Sequence, residues 1–526
     1  MTAATATVTE QKGPDRGLQL LFAGLMVTML LASLNQTILS TALPTVVGEL
    51  NGVDQMPWVI TSYILASTIT MPVYGKISDL FGRKPVLIAA IITFLAGSVI
   101  CALTGDVTWL IVGRVVQGLG GGGLMILSQA AIADVVPPRD RGRYMGVMGA
   151  VFAVSSIAGP LLGGWFTEGP GWRWTFWINL PLGLLAILAA FFFLKLPARP
   201  DRERPRLDYP GMALIAAATT ALVLVGTWGG SEYAWTSPTI LGLATTAVVL
   251  GVAFVYVESR AAEPIIPLGL FRDRNFTLAT TAGLCVGIMM FGTIGYMPTY
   301  LQMVTGVSAT NAGMLMIPAM GGMLVASTVA GRLVSRTGRY KLSPLLGVLV
   351  MGVSLLLLAS LRVDSAIPVV CAYLGVFGVG LGMSMQILTL IVQNSFPNSQ
   401  VGTATAATNY FRQVGATLGS AVVGSIFATR LTALITERIP AASERLGGLN
   451  SFTPALVGGL PDELRLPIIT SYNEALLPIF GFMVPLAVLA AVLLVYLREK
   501  PLATTLDDGP AAPAAGGPSM PVTGAA

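Results

Sequence analysis

Apolar residues run along this chain in long blocks separated by short polar or charged stretches, and nowhere alternate with polar ones at a period of two. Fourteen blocks lie near 18–44, 57–75, 85–104, 108–132, 144–166, 175–195, 209–228, 237–257, 277–300, 308–330, 343–361, 367–391, 402–427 and 475–496. Most approach the ~20 residues a helix needs to cross hydrocarbon. The missing alternation excludes a transmembrane barrel. The pattern predicts an all-α membrane protein with fourteen transmembrane helices. The first block follows Lys12 and Arg16 but is longer than the apolar region of a signal peptide, so it is read as a span.

Charge placement orients the spans. With the N-terminus inside, twenty-two of the thirty lysines and arginines fall on inner segments, six on outer ones, and Arg114 and Arg412 inside spans. This bias predicts that both termini are cytoplasmic. Residues 1–16 and 498–526 are then cytoplasmic tails, the second Pro/Gly/Ala-rich and expected to be disordered. An outer stretch of about 45 residues after the thirteenth block, with Pro440, Pro454, Pro461 and Pro467, is expected to hold at most short surface helices.

Composition narrows the chemistry. Charged residues are 10% of the chain, against ~25% in soluble domains. Histidine is absent, which excludes imidazole relays and His-ligated metals. Cys101, Cys285 and Cys371 all fall in apolar blocks, too few for a disulfide framework. No GxxxxGK[ST] phosphate loop occurs, so direct energisation by a nucleotide is not expected. Neither a catalytic constellation nor a metal or cofactor site is expected, and the chain does not read as an enzyme.

The chain also repeats itself. "GKISDLFGRK" (Gly75–Lys84) aligns with "GRLVSRTGRY" (Gly331–Tyr340), each on an inner loop, joining blocks two and three in one case and ten and eleven in the other. An offset of eight divides the fourteen into six, a linking pair and six: 17–196, 209–257 and 275–497. Parallel halves of this kind place a small-molecule site between them. In the first loop Asp79 ends a helix, where the macrodipole disfavours an anion. The positive start of block thirteen, near Val401 on the same side, would serve it. Gly75, Asp79, Gly82, Arg83 and Lys84 are therefore candidates for an inner-side latch, with Ser335 standing where Asp79 stands in the repeat.

Several polar residues lie inside spans. A cation there costs at least ~2.5–3.5 kcal/mol and marks function by default, which singles out Arg114 and Arg412. Arg114 lies roughly 9 Å from the outer end of its helix and Asn35 near 13 Å, at ~1.5 Å per residue. Asn35, Gln36, Arg114, Gln117 and Arg412 are candidate cavity residues for substrate or coupling. Tyr63, Tyr296 and Tyr410 join them because each hydroxyl needs a polar partner. Gly159 and Gly163 form a small-xxx-small pair for close helix packing; with Pro160 and Gly164 they are a candidate hinge or seal.

These motifs resemble those of the major facilitator superfamily. "GKISDLFGRK" is similar to its signature loop, "GRVVQGLGGGG" (Gly113–Gly123) to its fourth-helix motif, and "AGPLLGG" (Ala158–Gly164) to the fifth-helix motif of antiporters. "LNQTILSTALP" and "WRWTFWINLPLG" resemble segments of the multidrug branch. With fourteen spans, the chain resembles the drug:H⁺ antiporters that export drugs and antibiotics. The resemblance implies two six-helix bundles plus two linking helices in a bacterial cytoplasmic membrane. It also implies small-molecule substrates, protons as the coupled ion, and no nucleic acid or obligate protein partner. One departure stands out: the family's first-helix motif carries an aspartate where this chain has Asn35, and no Asp or Glu lies in the middle of any block. The excess of fixed positive charge then favours neutral or anionic substrates. A carrier for protons would be an edge acid (Asp79, Asp134 or Glu168) or the substrate itself. Import or facilitated passage of one metabolite is the alternative function.

Overall fold

The computed structural model describes residues 16–52, 55–194, 207–230, 232–439 and 454–504. The tails, apart from Arg16 and residues 498–504, and most of the charged inner loop before Asp208 lie outside the described residues. Fourteen helices are long and apolar enough to span a membrane. They are α1 (Arg16–Glu49), α2 (Met56–Phe81), α3 (Arg83–Leu103), α4 (Val107–Val135), α5 (Pro138–Glu168), α6 (Trp174–Phe193) and α7 (Tyr209–Trp228). The rest are α8 (Pro238–Glu258), α9 (Arg274–Thr305), α10 (Asn311–Thr337), α11 (Leu342–Ala359), α12 (Ile367–Gln393), α13 (Val401–Arg438) and α14 (Asp462–Val495).

Helix starts follow local chemistry. Asp106, Asp208, Ser237 and Asp273 each cap a helix by accepting a backbone N–H from the first turn. Three spans expected to be continuous are interrupted: α6 at Ile178, α9 at Gly295–Tyr296 and α10 at Met316. Each break falls just before a proline (Pro181, Pro298, Pro318). The missing N–H and the clash with the carbonyl four residues back explain its place.

The outer segment after the thirteenth span differs from expectation. Helix α13 continues to Arg438 and α14 begins at Asp462, with Pro467 inside it. Hydropathy falls beyond Phe427, but amphipathic spacing persists. Leu431 and Ile435 are buried, while Arg438 pairs with Glu474 of α14 at 2.5 Å and Arg430 donates to the Glu474 carbonyl. Two charged helix extensions thus replace about half of the expected loop. A short helix, Pro454–Gly458, precedes α14, and residues 440–453 lie outside the described set.

The repeat offset of eight reappears in the packing. In the first bundle α1 packs on α5 and α6, α4 on α2 and α3, and α3 on α6; in the second α9 packs on α13 and α14, α12 on α10 and α11, and α11 on α14. Each pair in one set corresponds to a pair in the other. The bundles touch through two further matched pairs, α2 with α13 and α5 with α10, and through α4 with α13 and α12 with α5. Helix α7 sits on the flank where α2 meets α13, and α8 packs behind it with Ile240 and Glu258 as its buried residues.

Candidate functional site

At the inner end of the seam, Asp79 closes α2 and reaches the start of α13. Its Oδ2 accepts the Thr403 backbone N–H and the Thr403 hydroxyl, both at 2.6 Å. An anion at a helix N-terminus completes both the orphan donors and the dipole. Arg83, 1% exposed at the start of α3, holds that carboxylate from behind: Nη2 lies 2.6 Å from Asp79 Oδ1, Nε 3.1 Å from Asp134 Oδ2, and Nη1 donates to Ser78 Oγ at 2.5 Å. A buried arginine between two carboxylates is balanced, and removing any member would strand charge. Gly82 makes the turn at φ 92°, and its repeat equivalent Gly338 has φ 73°, a region L-residues rarely adopt. Gly75 lets the helices meet, since a Cβ there would collide with Ala406 and lie 2.9 Å from the Gly402 carbonyl. Lys84 stands apart from the seam, donating to the Phe191 carbonyl at 2.6 Å.

The second half repeats this contact without charge. A Cβ on Gly331 would collide with the Gly142 carbonyl of α5. Ser335 Oγ accepts the Arg143 backbone N–H at 2.9 Å near the start of α5. Ser335 thus meets α5 as Asp79 meets α13.

Deeper in the first bundle, Asn35 does not lie open in a cavity. It is 2% exposed, and its Oδ1 accepts from Gln117 Nε2 at 3.0 Å and Asn179 Nδ2 at 3.4 Å. Both donors also reach Ser98 Oγ. Arg114, 2% exposed, donates to Gln117 Oε1 at 2.6 Å and through Nε to the Val59 carbonyl at 3.2 Å, with its guanidinium 4.2 Å from the Tyr63 ring centroid. Arg114 is therefore linked to Asn35 through Gln117. Gln36, one residue along, is exposed and outside this network.

A separate network crosses the seam. Arg412 of α13 donates to Asn409 Oδ1. Asn409 Nδ2 donates to Gln129 Oε1 of α4 at 3.0 Å, and Gln393 Nε2 of α12 donates to the Gln129 carbonyl at 3.3 Å. Tyr410 joins neither group; its hydroxyl lies 2.8 Å from Thr219 Oγ1 of α7. Tyr296 donates to the Ser420 carbonyl at 2.8 Å within the second bundle.

Helices α1 and α5 meet closely beside Pro160. A Cβ on Gly159 would collide with Thr37, and one on Gly163 would sit 2.7 Å from the Ile38 carbonyl. Thr37 Oγ1 donates across to the Ser155 carbonyl at 2.9 Å. Gly164 has open space and makes no such approach.

Sequence reading missed Gln129, Gln386, Gln393, Asn409, Asn179 and Ser98. The signal was available: an amide inside a span is costly unless paired, and that argument, applied to Asn35, holds equally for every amide in the fourteen blocks.

Comparison with known proteins fits this geometry. Residues 25–420 match the model of the Major Facilitator Superfamily, and the chain belongs to that superfamily. It is 40% identical over 489 residues to Rv1877, an MFS-type transporter of Mycobacterium tuberculosis, covering 93% of this chain and 71% of that one. It is 36% identical to the multidrug transporter protein MdtP of Bacillus subtilis, covering 86% and 83%. The crystal structure of the human organic anion transporter MFSD10 superposes with a TM-score of 0.60 at 16% identity, covering 92% of this chain and 100% of that one, a likeness of fold alone. The chain is thus a multi-pass membrane transporter for small molecules and not an enzyme.

Proposed function

We propose that the protein exports amphipathic small molecules across the bacterial cytoplasmic membrane by alternating access, energised by the proton-motive force. The observation that carries this reading is the seam. The contacts that join the bundles around Gly75, Asp79, Gly142, Gly331, Gln129 and Asn409 all lie on the inner halves of their helices, the arrangement of a transporter closed towards the inside. The likeness to MdtP supports export over the uptake of one metabolite. In this reading Asp79, Arg83 and the two glycines Gly75 and Gly82 form the inner latch, and Gly159, Pro160 and Gly163 form the pivot of α5 on α1. Among the edge acids, Asp79 and Asp134 are held by Arg83 and Glu168 is exposed.

The test is dye movement in proteoliposomes with a pH gradient and a membrane potential imposed separately. Accumulation in inside-out vesicles, driven by either gradient, is expected. Equilibration that ignores both gradients, or accumulation only in the opposite orientation, would favour the uptake reading.

A further inference from the structure

We propose that the cargo is an amphiphile carrying one negative charge, a carboxylate or sulfonate, and that Arg412 is the group that binds it; this rests on the transport reading above. Arg412 is 8% exposed, and its one hydrogen bond among the described residues goes to a neutral amide, Asn409. No Asp or Glu lies within ion-pair distance of it among the described residues. A guanidinium has five donors, so most of its capacity is unused. An enclosed charge without a counter-ion is expensive, and a bound anion removes that expense.

Position supports the assignment. Arg412 lies eleven residues along α13 from Val401, about 16 Å at 1.5 Å per residue and hence near the middle of a ~30 Å hydrocarbon layer. Through Asn409 it adjoins Gln129 of the other bundle, so the cation sits at the seam.

The seam nearby, reached through Gln129, is also short of partners. Among the described residues, both amide atoms of Gln386, which is 1% exposed, are buried without a hydrogen bond, as are Gln129 Nε2, Gln393 Oε1 and Thr389 Oγ1. Gln386, Thr389 and Gln393 form one stripe of α12, and a Cβ on Gly149 of α5 would lie 3.3 Å from Gln386 Cγ. This stripe faces the first bundle. Amides offer donors to an anion's oxygens and acceptors to a neutral polar edge, which suits an amphiphile with one charged group. Arg114, whose partners are also neutral, adds to the positive field.

The same charge explains how export can proceed without an acid in mid-membrane. An anion leaving the cell moves with an inside-negative potential, which does work on each elementary charge that crosses. No titrating side chain is required for that component.

The experiment compares a matched pair of probes, 8-anilino-1-naphthalenesulfonate and uncharged N-phenyl-1-naphthylamine, with ethidium as the cation. Binding is measured to purified protein in uncharged detergent, with protein-free micelles subtracted. The anion is expected to bind about tenfold or more tighter than its neutral parent, and ethidium weakest. Arg412→Gln should abolish the anion's advantage while binding of the neutral probe persists, which also reports folding; Arg412→Lys should keep part of it. Equal affinity for the three probes, or an anion preference untouched in both variants, overturns the proposal. Displacement of the anion by phosphatidylglycerol but not by phosphatidylcholine would assign the site to a lipid headgroup and overturn it as a cargo site. Anion binding without movement into inside-out vesicles, while the neutral or cationic dye still moves, overturns the anion as cargo; movement of none of the three overturns the transport reading and leaves the anion site standing.

Discussion

A buried charge is defined by what surrounds it, and Arg83 and Arg114 make opposite cases. Arg83 lies between two carboxylates, while Arg114 meets an amide oxygen, a backbone carbonyl and the face of Tyr63. Those three contacts diverge from one planar group, and a lysine ammonium cannot make them together. Arg114→Lys is therefore expected to leave the protein inserted while dye transport falls by about tenfold or more, given that one lost charged hydrogen bond is worth ~1.5–3 kcal/mol. Normal transport would mean that charge alone suffices. Asn35→Asp places a carboxylate one amide away from Arg114, and Arg114 would hold it ionised. Efflux of matched cationic, neutral and anionic dyes should then shift towards the cation. No shift would detach this cluster from substrate preference.

At the scale of elements, two helices meet at the seam through the amide pair Gln129 and Asn409. Replacing either by leucine strands its partner at a cost of ~1–3 kcal/mol, whereas replacing both removes their need for each other; the loss of Arg412's acceptor is common to the Asn409 single variant and the double one and cancels in the comparison. The double variant should accordingly resist heat better than the sum of the single losses implies, by an interaction of roughly 1 kcal/mol. Strict additivity would show that the pair is not coupled. The sequence made the elements legible because hydrophobic length alone specifies a span, and because "GKISDLFGRK" and "GRLVSRTGRY" exposed the offset of eight. It misled where hydropathy and helicity part company, as in the charged extensions of α13 and α14, and at Pro181, Pro298 and Pro318, which interrupt spans while Pro72 and Pro160 sit inside continuous ones. The candidate site was legible in part. Asp79 announced its need for a donor by ending a helix, but nothing in one dimension says that Asn35 looks inward to Gln117 and Asn179 while Gln36 looks out.

Across the whole molecule, the matched helix pairs make the latch a question of symmetry. Asp79 meets the first turn of α13 and Ser335 the second turn of α5, so one inner contact is ionic and the other neutral. Asp79→Asn keeps an acceptor but loses the charge at the helix terminus, worth ~0.3–1 kcal/mol and up to ~2 when partly buried, and with it one of the two carboxylates paired with Arg83. It should raise inner-side labelling of a cysteine placed at Ala404 and slow transport, whereas Ser335→Ala should matter less. Moving the acid from one half to the other is the sharper test. Ser335→Asp alone adds an anion on the second turn of α5, beside the Arg143 N–H, and should over-stabilise the inner-closed state, reducing labelling at position 404. Combined with Asp79→Ser, it transposes the latch onto the other pair of helices. If the fold is the switch and the acid only its weight, the transposed protein should recover transport relative to Asp79→Ser alone. Arg83 sets the limit on that recovery, because it would then face Asp134 with one carboxylate fewer. A transposed variant no better than Asp79→Ser would mean that Arg83 and Asp134 make the first half's loop unique, and that the two ends of the seam are alike in shape only.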